Sequence, residues 1–221
     1  MSRVSGTEST AKRARLSPEE RRKQLIGVGH EMLRERPLGD ITVAAVTAQA
    51  GVSRALLFHY FPTLEDYHRA ILHNANAELL DHVRPNPALA PLDMLRDSME
   101  RFIGYVEHNQ TAYHAMLRGP ASASPVVVEQ AEDTRGKIAE MLFAVVPIDA
   151  ADPDRPRLEL AVRGWIAYLE QVVLTWLAEP TITREQLIDL FVRSLPALTL
   201  TPQIAAILAT DLPEISPPAT E

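Results

Sequence analysis

Residues 41–62 read ITVAAVTAQAGVSRALLFHYFP, and the punctuation of this stretch decides the fold. Thr42 caps an Ala- and Val-rich helix that ends near Ala50. Gly51 supplies the left-handed turn residue that a side chain would resist. Ser53 then caps a second helix carrying Arg54, Leu56, Leu57, Phe58, His59, Tyr60 and Phe61, and Pro62 stops it. Two short helices around a glycine hinge suit one task well, with the first braced across a DNA backbone and the second laid in the major groove. A second helix from Ser53 to Phe61 is about nine residues, or ~13 Å, long, which matches a groove ~12 Å wide.

The faces of that helix divide its labour. Leu57 and Phe61 lie one turn apart and, with Val46 and Val52, are predicted to pack inward. Arg54, Leu56, His59 and Tyr60 fall on other faces and are candidate DNA contacts. Arg54 can fork to guanine O6 and N7 or to phosphate, whereas Leu56 can offer only apolar contact, for instance to a thymine methyl. His59 and Tyr60 can donate to phosphate oxygens, as can the hydroxyls and capping amides at Thr42 and Ser53. Thr63, at the start of the next helix, joins this candidate set.

Outward from the hinge the chain is helical in both directions. Ser17-Pro18-Glu19-Glu20 is a helix start, followed by a helical apolar period at Leu25, Ile26, Val28, Met32 and Leu33 that runs to about Arg36. Gly27 and Gly29 are predicted to let another helix approach closely. After Pro62, LEDYHRAILHNANAELLDHV continues to about Val83, where Arg84-Pro85-Asn86-Pro87 breaks it. Further helices are predicted at 92–109, 110–118, 126–146, 157–178, 184–195 and 202–209. No apolar–polar alternation is sustained, so the fold class is all-α. The organisation that follows is a disordered basic arm at 1–16, a helix-turn-helix domain at 17–77 (its core at 41–60), a larger helical domain at 85–212 and a flexible tail at 213–221.

Composition narrows the function. The 221 residues carry a net charge of −7, but residues 1–60 hold ten Lys/Arg against six Asp/Glu, a net +4 that leaves −11 on the rest. The basic footprint is therefore local and N-terminal, and Lys12, Arg13 and Arg15 of the arm could attract phosphate. The absence of Cys excludes disulfides, thiol catalysis and Cys-ligated zinc. His68 and His73 are five apart, off one helical face, and no nucleophile–base pair or cofactor loop stands out, so no metal, cofactor or catalytic residue is assigned. No apolar run approaches a bilayer span and the N-terminus lacks a signal-peptide core, so a soluble cytoplasmic protein is expected.

From about Arg21 to Ile71 the sequence resembles the tetracycline-repressor (TetR) family of bacterial transcription regulators. RRKQLIGVGHEMLRERPLGD resembles the family's first helix, ITVAAVTAQAGVS its second helix and turn, and RALLFHYFPTLEDYHRAIL its recognition helix and the entry to a long fourth helix. The resemblance implies a homodimer on a palindromic operator in double-stranded DNA, usually a repressor, released by a small-molecule effector bound in the C-terminal domain. Five positions depart from the pattern: Leu64 replaces a Lys that would meet phosphate, Phe58 replaces a Tyr, Ala55 and Leu56 replace small or polar residues, and Thr47 replaces an Ala. The first two leave open a helical interaction or sensor module with weakened DNA binding.

In the C-terminal half, LELAVRGWIAYLEQVVLTWLAE and REQLIDLFVRSLPAL are strongly apolar helices that either complete the monomer core or pair with their copies across a two-fold axis. An apolar pocket for an effector is expected among Phe102, Tyr105, Tyr113, Met116, Met141, Trp165 and Tyr168, with Phe143 and Trp176 nearby candidates. His108 and His114 are possible polar contacts to it.

Overall fold

The computed structural model describes residues 16–145, 149 and 151–199. The basic arm with Lys12, Arg13 and Arg15, the helix expected over 202–209 and the tail at 213–221 lie outside the described residues. Among those described there are α-helices and short 3₁₀ turns but no strand, so the chain is all-α.

Each helix of the N-terminal part begins on a side-chain cap. Helix α1 (Pro18–Glu35) opens with a capping box, in which the Glu20 amide donates to the Ser17 hydroxyl at 3.2 Å and the Ser17 amide donates to the Glu20 carboxylate at 2.7 Å. Thr42 accepts from the Ala45 amide to start α2 (Val43–Ala50), and Gly51 ends that helix with a φ of 63°. Ser53 accepts from the Leu56 amide to start α3 (Arg54–Tyr60). Thr63 and Asp66 form a second capping box that opens the long α4 (Leu64–Val83).

Helices α5 (Pro91–His108), α6 (Gln110–Arg118), α7 (Pro125–Val145), α8 (Arg155–Ala178) and α9 (Arg184–Thr199) build the remainder. Two boundaries differ from the sequence expectation by two residues or more. Helix α8 starts at Arg155 because Pro156 fits a first turn, where its missing N–H costs nothing. Helix α9 runs through Pro196 to Thr199, and the Thr199 hydroxyl donates to the Leu195 carbonyl at 2.8 Å.

Two apolar clusters hold the molecule together. The first joins α1, α2, α3 and the N-terminal half of α4 through Leu25, Met32, Ile41, Val46, Leu57, Phe61, Tyr67 and Ile71, and Val126 and Val127 of α7 extend it. The second is built on α4, α5, α8 and α9 around Trp165, Ile103, Val173 and Phe191. Helix α4 serves both, giving Tyr67, Ile71, Leu72 and Ala75 to the first and Leu79 and Val83 to the second. A shift of α4 in one cluster is thus felt in the other.

Of the two glycines expected to admit a neighbouring helix, only Gly29 does so. A Cβ there would lie 2.4 Å from Ile71 Cδ1 and 2.5 Å from the Tyr67 hydroxyl, whereas one at Gly27 would meet nothing within 4 Å. Gly29→Ala is therefore expected to destabilise the fold by about 1–3 kcal/mol through overpacking of α1 on α4. Gly27→Ala is expected to stabilise slightly, by up to about 1 kcal/mol through helix propensity. Paired urea melts check both, and equal midpoints for the two variants would contradict this packing.

Candidate nucleic-acid interface and ligand cavity

Helix α3 is a seven-residue rod pinned on one side. Leu57 and the following Phe61 are buried in the first cluster, and Tyr60 packs half-buried beside them. The opposite face exposes Arg54, Ala55, Phe58 and His59, at the i, i+1, i+4, i+5 spacing of one helical stripe. Arg54 sits at the first turn with no hydrogen-bond or ion-pair partner among the described residues, so its guanidinium fork is uncommitted. His59 is exposed and meets the Tyr60 ring edge-on at 5.1 Å between centroids.

The candidate contacts separate accordingly. Arg54 and His59 lie on the exposed face, while Leu56 and Tyr60 are half-buried on its flanks. Thr42 and Ser53 are exposed and accept helix amides through their hydroxyl oxygens, which leaves their hydroxyl hydrogens to give. Thr63 is different: its hydroxyl donates to the Asp66 carboxylate at 2.7 Å, so its proton is already committed next to a negative charge. Leu64 packs partly buried against the first cluster, which explains an apolar side chain at this position.

Sequence reading had counted Phe58 only as a lost hydroxyl. At 37% exposure it is a large apolar side chain on the outer face of α3. A helical wheel centred on Arg54 would have placed it there. Arg22 is a second omission: its guanidinium lies 5.1 Å over the Phe61 ring, which sets an exposed cation at the edge of α3.

Behind this interface a polar cluster ties α1 to α4 and to the α5–α6 corner. Arg34 donates to Asn109 Oδ1 at 3.2 Å and to Glu78 Oε1 at 3.1 Å. Asn74 Nδ2 donates to His30 Nδ1 at 2.7 Å, so the ring proton sits on Nε2, 3.0 Å from Glu78 Oε2. Burial holds the His30 imidazole below its ordinary range, outweighing the pull of Glu78 towards protonation.

In the larger domain, α4, α5, α6, α7, α8 and α9 line a partly open cavity of about 180 Å³. Phe102, Tyr113, Met116, Met141 and Trp165, together with Phe143, line it as their grouping in the sequence suggested. Tyr105 and Tyr168 do not. The Tyr105 hydroxyl donates to the Ala75 carbonyl at 3.1 Å, turning it towards α4, and Tyr168 stacks edge-on against Phe191 at 6.0 Å. Trp176 is also outside, with its indole donating to the Ile182 carbonyl, and His108 and His114 face solvent. Sequence reading missed Ser98, Asn76 and the Arg135–Glu170 pair in the wall. Ser98 was findable, since it interrupts an apolar stripe between Met94 and Phe102 on α5.

A smaller void of about 20 Å³ lies under α1, lined by residues that include His30, Arg34 and Asn109. Tyr113 and Met116 of α6 belong to both linings. One pair of side chains thus separates the cavity from the polar cluster that anchors α1.

No helix among the described residues is long and apolar enough to cross a membrane. Among them, too, no group of three or more His, Asp or Glu is placed to hold a metal ion.

A capped helix-turn-helix joined by one shared helix to a larger helical domain defines a DNA-binding transcription regulator. Two family descriptions match: "Bacterial regulatory proteins, tetR family" over residues 25–66 and "Tetracyclin repressor-like, C-terminal domain" over residues 91–198. The chain belongs to the TetR family of transcriptional regulators. A TetR-family transcriptional regulator from Streptomyces coelicolor superposes with a TM-score of 0.77, at 27% identity over 91% of this chain and 94% of that one. The multidrug binding protein EbrR complexed with imidazole gives 0.64 at 20% identity over 84% of this chain and 93% of its own, a likeness of fold. In sequence the chain is 22% identical over 165 residues to the HTH-type transcriptional activator FasR of Mycolicibacterium smegmatis, covering 74% of this chain and 75% of that protein.

Proposed function

We propose that this regulator is a cytoplasmic, ligand-responsive repressor that binds a palindromic operator as a homodimer and is released by a small apolar or amphipathic effector. The observation that carries the reading is the sharing of α4. Its N-terminal half packs against α3 and α1, and its C-terminal residues Asn76, Leu79 and Val83 wall the cavity. An occupant of this apolar cavity is held by contact with its walls. If the occupant fits one position of α4 and α6 better than another, it shifts the populations of the two and with them the spacing of the reading heads. Tyr113 and Met116, which share a lining with Arg34 and His30 of α1, would pass such a shift to that helix.

A base contact is proposed for Arg54, with Phe58 added, and phosphate contacts for His59, Thr42, Ser53, Tyr60 and Arg22. Leu56 and Thr63 contribute less, the first from partial burial and the second from its bond to Asp66. A second reading, activation, is favoured by the likeness to FasR, which is named an activator.

Selection of bound duplexes from a random pool tests the core of the proposal. The expected product is a palindrome with half-sites about 10–10.5 bp or a multiple apart, bound with a steep dependence on salt. Recovery of no enriched sequence would sink it. In vitro transcription from a promoter carrying the selected site then decides between repression and activation.

A further inference from the structure

The hydrogen-bond donors in the cavity wall can be followed one by one. Among the lining residues only Tyr113, Arg135 and Glu170 are titratable. Arg135 meets Glu170 through two hydrogen bonds of 2.9 and 2.8 Å, and its remaining terminal nitrogen donates to Glu132 at 2.5 Å. The cation and the carboxylate of the wall are therefore committed to each other. Trp165 Nε1 donates to Ser194 at 2.9 Å, and Thr134 and Asn76 both donate to the Gln130 carbonyl, at 2.8 and 3.1 Å. Thr199 donates to the Leu195 carbonyl.

Two hydroxyls are left over. Tyr113 has no hydrogen-bond partner among the described residues, and its ring sits edge-on to Phe102 at 6.1 Å. Ser98, 6% exposed, has a buried hydroxyl oxygen that is also unpartnered. Burial, with the Glu170 carboxylate adding to it, pushes the Tyr113 phenol far above its ordinary range, so this half-buried group keeps its proton and has a hydrogen to donate to an acceptor in the cavity.

Size sets the rest of the description. A cavity of about 150 Å³ accommodates benzene, so one of about 180 Å³ holds a molecule of roughly seven to nine non-hydrogen atoms. A free charge would enter apolar surroundings with no uncommitted counter-charge in the wall.

We propose that the cavity takes a neutral, largely apolar molecule of this size with one acceptor oxygen, as in a ketone or ester, seated on the Tyr113 hydroxyl. This assignment rests on the reading of the cavity as the effector site.

Calorimetric titration of the full chain with four matched probes tests it: acetophenone, its hydrocarbon isostere α-methylstyrene, benzoate and the benzylammonium ion. The ketone is expected to bind up to about tenfold tighter than the hydrocarbon, the worth of one hydrogen bond. Both ions are expected to bind at least about tenfold more weakly than the ketone. Tyr113→Phe is expected to bring the ketone down to the hydrocarbon, while hydrocarbon binding, unchanged within about twofold, reports that the variant is folded. Tighter binding of either ion, or a ketone preference that survives Tyr113→Phe, overturns the assignment and leaves the effector site standing. Failure of all four probes to bind overturns both.

Discussion

Arg54→Ala is expected to weaken binding to the selected operator by about 30-fold or more while leaving the dimer and its melting temperature unchanged. The side chain is exposed at the first turn of α3 and has no partner among the described residues, so its removal takes nothing from the fold. A base-reading arginine contributes about 1–3 kcal/mol, and a two-fold dimer loses it twice, which gives about 2–6 kcal/mol in all. Phe58→Ala shares the outer face but carries no charge, so it is expected to relax sequence preference without altering the salt slope. His59→Ala, as a phosphate contact, is expected to weaken all sequences alike. Fluorescence anisotropy over a salt series separates the three. If Arg54→Ala and His59→Ala both bind as the parent does, the reading surface is not the outer face of α3.

The N-terminal fold was legible because its boundaries are set by local chemistry. Ser17, Thr42, Ser53 and Thr63 each cap the helix that follows, and Gly51 adopts the left-handed turn its position requires. Such signals need no knowledge of distant contacts. The site was less legible because its residues are sorted by packing. Leu56 and Phe58 are both apolar neighbours on one short helix, and only the direction of the first cluster decides that Phe58 is the more exposed. The same limit governs the cavity. Tyr105 and Tyr113 are both aromatic residues on apolar helix faces, yet α4 claims the hydroxyl of the first while that of the second has no partner among the described residues. A proline gave the opposite error, since Pro196 read as a stop although the helix carries through it to Thr199.

Leu160→Glu is expected to convert the proposed dimer to a monomer and to lower operator affinity by more than about 100-fold, because two linked heads would set the half-site spacing. Two hydrogen bonds fix the register of α8 against α9: Trp165 with Ser194 of α9, and Trp176 with the Ile182 carbonyl in the connection just before it. In this antiparallel pair Leu160 falls level with Leu198, and Ala167 with Leu190. Their inner faces, through Val162, Trp165, Leu169, Ile188 and Phe191, complete the monomer core. Their outer faces still leave Leu160 at 72%, Leu190 at 42% and Leu198 at 49% exposure, with Gly164 and Ala167 offering a low surface between them. Core completion therefore does not exhaust these helices. Burying a leucine stabilises by about 1.5–3 kcal/mol, and a two-fold interface buries each leucine twice. A glutamate at 160 replaces that gain with two carboxylates held in an apolar seam, a cost of several kcal/mol. Because Leu160 is so exposed within the protomer, the monomer should melt as before, and light scattering coupled to gel filtration reads the change directly. A dimer that persists at micromolar concentration in both Leu160→Glu and Leu190→Glu would place the two-fold axis on another face. The spacing between reading heads would then have to be set by helices other than α8 and α9.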